Sequence, residues 1–85
     1  MNSACEIMRD ALVHNLIPDI ERRAVVSLDS GDIPHHNYLN RCASILKEAV
    51  DIGERNDVNE SKYWEGFRQL ALTTIQTNEI RLSTK

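Results

Sequence analysis

Apolar residues recur at three- and four-residue steps along almost the whole chain, and no stretch alternates apolar with polar over the length of a strand. The pattern is helical. Interruptions at Pro18, Gly31, Pro34 and Gly53 divide it into four helical stretches, approximately 4–16, 18–29, 33–52 and 58–81. The expectation is an all-α fold, a small bundle of three to four helices, with residues 1–85 as one domain and a frayed tail at Ser83–Lys85.

Ser3 stands three residues before Glu6, a capping-box spacing that starts the first helix near Ala4. At about 100° per residue, Ala4, Cys5, Ile7, Met8, Ala11, Leu12 and Leu16 share one half of its circumference, which faces the core. Continued past Pro18 as one straight helix, this segment turns Ile20, Ala24 and Leu28 nearly to the opposite side, so a break or sharp kink near Pro18 is expected. Asp19 and Glu21 then lie in the first turn of a second helix, and Ser30-Gly31 ends it.

Asp32 caps the third helix and Pro34 is tolerated in its first turn. Tyr38, Leu39, Cys42, Ala43, Ile45, Leu46, Ala49, Val50 and Ile52 cover about half its circumference, wide enough for a helix with neighbours on two sides. After a polar connection, Asp57 and Glu60 repeat the capping-box spacing and start the fourth helix. Its apolar face holds Tyr63, Trp64, Phe67, Leu70, Ala71, Thr74 and Ile75. At about 36 Å against about 27 Å for the third helix, it should overhang its neighbours, carrying Ile75, Ile80 and Leu82 beyond the core.

Composition narrows the class. At 41% hydrophobic, the 85 residues supply one small core. Ten basic against 13 acidic residues, a net charge of −3, argue weakly against nucleic acid. The first segment carries Glu6, Arg9, Asp10 and His14 where a secretory signal would be apolar, and no run reaches a membrane span's length, so a cytoplasmic chain with no membrane role is expected. Cys5 and Cys42 are too few for a disulfide framework and read as thiols packed like small hydrophobes. The Asn59-Glu60-Ser61 triplet fits a glycosylation sequon, which carries no weight in a cytoplasmic chain.

Candidate chemistry is thin. His35, His36 and Cys42, with Cys5 or His14, lack the close ligand pairs of a zinc module, and Cys42, facing His35 as nucleophile to base, sits mid-arc where burial suppresses a thiol's reactivity. A calcium loop starting at Asp51 or Asp57 puts Asn56 or Lys62 where Gly is needed. No phosphate loop or paired-carboxylate motif occurs, so no catalytic residue, metal or cofactor is expected. Phe67 reads as the core anchor, while Tyr63 and Trp64 flank it and one of them serves an interface. Asn15 and Asn78 fall in apolar stripes, where a buried Asn fixes register, or else near frayed helix ends. The expected function is non-catalytic: docking on another protein as a regulator, inhibitor or adaptor, with a homodimer among the forms. Tyr63 or Trp64, with Leu70, Ile75 and Leu82, would bind the partner. The alternative is a helix-turn-helix DNA-binding regulator using Arg22, Arg23 and Arg41, whose scatter among acidic residues speaks against it.

Overall fold

A computed structural model describes residues 4–84, and these form helices joined by short turns, with no strand among them. There are three helices: α1 over 4–29, α2 at Ile33–Arg55 and α3 at Ser61–Ser83. The helical bundle expected from the periodicity is present. Ser3, the expected first cap, lies outside the described residues, as does Lys85. Among the described residues no helix is long and apolar enough to cross a membrane.

Of the break or sharp kink expected near Pro18, the chain takes the second: α1 is one long bent helix, uninterrupted at Pro18. α1 is α-helical over Ala4–Ala11, π-helical over Leu12–Leu16 and α-helical again over Ile17–Asp29, the Ile17 N–H reaching back to the Leu12 carbonyl. The phase conflict is genuine, but a widened turn absorbs it. Cys5 and Leu12 are buried seven residues apart, Leu12 and Ile17 five apart, and Ile20, Ala24 and Ser27 follow at steps of three or four. That five-residue step turns the apolar stripe back onto the core. Pro18 follows at once, where the looser turn relieves its ring's clash with a preceding carbonyl. The slip also buries Ser27 in place of Leu28, which is exposed; Ile7, before the slip, is exposed because it lies off the stripe that Cys5 and Leu12 set.

Gly31 closes α1 with φ +82°, its N–H on Leu28 O at 3.0 Å and the Asp32 N–H on Ser27 O at 2.9 Å. Asp32 then caps α2 as its sequence position implies, accepting the His35 N–H at 3.4 Å. The second connection differs from expectation. α2 passes straight through Gly53 to Arg55, and Asp57, instead of capping α3, takes the left-handed position after α2 at φ +49°. Its N–H bonds Glu54 O and the next N–H, of Val58, bonds Gly53 O at 2.9 Å, the same 6→1 and 5→2 closure that Gly31 makes. Glu60 precedes α3 but its side chain caps nothing. Asp tolerates the left-handed region better than most residues, which lets an Asp-x-x-Glu spacing serve a helix end as well as a start.

α1 and α3 run parallel and pack on each other, with α2 antiparallel to both. At one end the Cys5 thiol donates to Asn59 O, and at the other Arg23 meets Asn78 and Arg81 meets Asp32. α1 and α2 approach most closely, through buried Ala24 and Ala43, so that His36 Nδ1 donates to Ala24 O at 2.6 Å. α2 and α3 have 23 residues each, about 35 Å, so α3 has no overhang. Leu12, Ile20, Leu39, Leu46, Trp64 and Thr74 are fully buried.

Trp64, 2% exposed, fills the space between α2 and α3, and its indole N–H donates to Val58 O at 2.9 Å. Gly53 makes the room: a Cβ there would stand 2.6 Å from Trp64 Cη2 and 2.8 Å from Tyr63 Cε1. Phe67, expected as the anchor, is only partly buried at the edge of this cluster. Gly53→Ala should therefore lose about 1–3 kcal/mol of stability in urea denaturation, against the roughly 1 kcal/mol that helix propensity alone would add. Asp57→Gly should raise stability by up to about 1 kcal/mol in the same measurement, since it removes a left-handed non-glycine residue.

Candidate functional site

The end of the bundle where the three helices meet around residue 32 is polar inside. Asn78, 2% exposed, accepts from Arg23 Nη1 at 2.6 Å and donates to His35 Nε2 at 2.8 Å. Arg23 also pairs with Glu79 at 2.6 Å and Asp19 at 3.2 Å, and Arg81 holds Asp32 through two bonds of 2.7 and 3.0 Å. A cleft of about 210 Å³ opens here, lined by Arg22, Arg23, Ser27, His35, Asn78 and Leu82 among others. Arginine can only donate, so Asn78 must turn its oxygen to Arg23 and its NH₂ to His35. His35 is thereby held as an acceptor at Nε2. Burial, and the nearby Arg81 charge, push the His35 pKa below its ordinary value, with Asp32 opposing. The hydrogen bond from Arg81 holds the Asp32 carboxyl below the usual carboxylate range.

A second feature lies on the flank of α2 towards α3. Tyr38, Ile45 and Ile52 follow one another at seven-residue steps and are 39%, 47% and 39% exposed. Seven residues come within about 20° of two full turns, so the three form one row about 21 Å long. Tyr38 opens onto a groove of about 500 Å³ between α2 and α3, shared with Pro34, Thr77 and Ile80. Leu70, one seven-residue step before Thr77 on α3, is 38% exposed. Beside the row stand Arg41 and Glu48. The other mid-helix charges are engaged, Lys47 with Glu21, Glu54 with Arg9 and Asp51 with Arg55, while Arg41 and Glu48 have no partner among the described residues.

The five residues expected to bind a partner do not form one surface. Trp64 is inside the core, and Tyr63 is half-buried with its hydroxyl on Ala49 O at 2.6 Å. Ile75 packs against the core, Leu70 is exposed on the α2 side, and Leu82 is exposed at the cleft towards α1. Tyr38, Ile45 and Ile52 belong to the apolar arc of α2, and apolar pattern alone assigns them to the core. What distinguishes them is their seven-residue spacing at the arc's edge.

Cys42 and Cys5 are buried free thiols, and His35 turns to Asn78 with no bond to Cys42. Among the described residues no three His, Cys, Asp or Glu side chains gather as a metal site. Arg22 and Arg23 are both engaged with Asp19, and Arg41 stands on a different helix. Asn15 is exposed, whereas Asn78 fixes register between α1, α2 and α3 of one molecule.

Protonation would set a His35 N–H against the Asn78 NH₂, and Asn78 cannot flip without facing Arg23 with the same group. With its pKa lowered on folding, neutral His35 contributes stability that is complete above about pH 6.5 and declines as pH falls towards the folded value. Urea midpoints should drop as pH falls below about 6.5, and His35→Gln should flatten that slope. Asn78→Ala, which strands His35 Nε2 and removes one of the three partners of Arg23, should cost about 1–3 kcal/mol at pH 7. No family model, curated protein or solved structure matches the chain.

Proposed function

We propose that the protein works without chemistry of its own, as a small helical regulator, inhibitor or adaptor that docks on another protein molecule through the α2 side facing α3. The carrying observation is the uncovered row Tyr38, Ile45 and Ile52 beside the groove at Pro34, Thr77 and Ile80. A side of a molecule 44 Å long and 21 Å across offers on the order of 800 Å², which is what each partner gives to a standard interface. At the cleft, Arg23, Asn78, His35, Arg81 and Asp32 support the same reading, because each is engaged in holding helices together.

Ile45→Glu tests it. Ile45 is 47% exposed, so the variant should keep the wild-type circular dichroism and urea midpoint. Recovery of the protein that wild type retains from an extract of its native cell should fall at least about tenfold. Retention of the same protein by both forms would overturn the assignment of this face.

A further inference from the structure

We infer that the molecule on this face is a second copy of the chain, docked with the two α2 helices antiparallel about a two-fold axis beside Ile45. The inference rests on the docking reading and names its partner. A two-fold interface must be complementary to itself. Tyr38 and Ile52 lie seven residues on either side of Ile45, so each meets the other across such an axis, and Ile45 meets its own copy. Arg41 lies four residues before Ile45 and Glu48 three after, which brings each opposite its counter-charge within about one residue's rise, 1.5 Å. These are the two charges on this flank of α2 without partners among the described residues. A parallel arrangement would set Arg41 against Arg41 and Glu48 against Glu48, and is disfavoured by both. The antiparallel one covers the apolar row and pairs each of the two charges once, in two symmetry-related ion pairs.

Sedimentation equilibrium of the full chain across about 10–500 µM, at low salt, is the experiment. Wild type should shift from monomer to dimer mass. Arg41→Glu and Glu48→Arg each replace two attractions by two repulsions and should weaken dimerisation at least about tenfold. The double variant Arg41→Glu with Glu48→Arg restores opposite charges and should recover most of the wild-type affinity. Both side chains are exposed and have no partner among the described residues, so circular dichroism should be unchanged in all three variants. A monomer at every concentration overturns the inference, as does a dimer indifferent to the single reversals or a double variant no tighter than either. Should wild type stay monomeric while Ile45→Glu still releases another protein from the extract, the second copy is excluded and the docking reading stands.

Discussion

The position of α3 depends on one close approach, the indole of Trp64 laid against the backbone of Gly53. An α-helix normally presents a Cβ at every position, so a large ring cannot lie directly on its backbone. Gly53 removes that Cβ in the middle of the last turns of α2, and Trp64 takes the space with its N–H on Val58 O. The turn between the helices is thereby tied down as well, because Val58 closes the end of α2 onto Gly53 O. Burial of an indole contributes more apolar area than any other side chain here, and at this site it stabilises helix, turn and helix together.

The other end of the bundle is held by polar groups whose directions are forced. Arg23 cannot accept a hydrogen bond, so the orientation of Asn78 and the neutral state of His35 follow from it in turn. Trp64 and Asn78 lie at opposite ends of α3, fourteen residues and about 21 Å apart. An apolar anchor sets depth and tolerates small rotations. A directional network does not, and rotating α3 by one residue about its axis would carry Asn78 away from both partners at once. The two ends therefore fix different degrees of freedom, and in a bundle with so few large side chains neither suffices alone.

Periodicity shows the helices, the Asp32 cap and the Gly31 turn in the sequence, because each is a local signal. It also shows the phase conflict before Pro18 but not its solution, since a π-turn and a break reverse the stripe equally well and only packing against α2 and α3 selects between them. Gly53 and Asp57 are harder. A glycine that ends a helix and one that makes room for an indole look the same until the ring eleven residues later is placed on it. Asp57 with Glu60 fits a cap by spacing, and only the positive φ assigns it to the preceding helix. The site residues fail for a related reason. Pattern identifies apolar residues on a helix but not how much of its circumference the fold covers.

That last quantity accounts for the exposed row. In a three-helix bundle each helix has two neighbours, and on α2 the buried positions from His35 to Gly53 span an arc of about 120°. The apolar residues extend beyond it on one side only, to Tyr38, Ile45 and Ile52, while the opposite flank carries Lys47 and Glu54 in ion pairs with α1. A folding requirement would widen the arc evenly about the core. A one-sided extension, bordered by two opposite charges without partners among the described residues, is instead the arrangement that a third neighbour for α2 would complete.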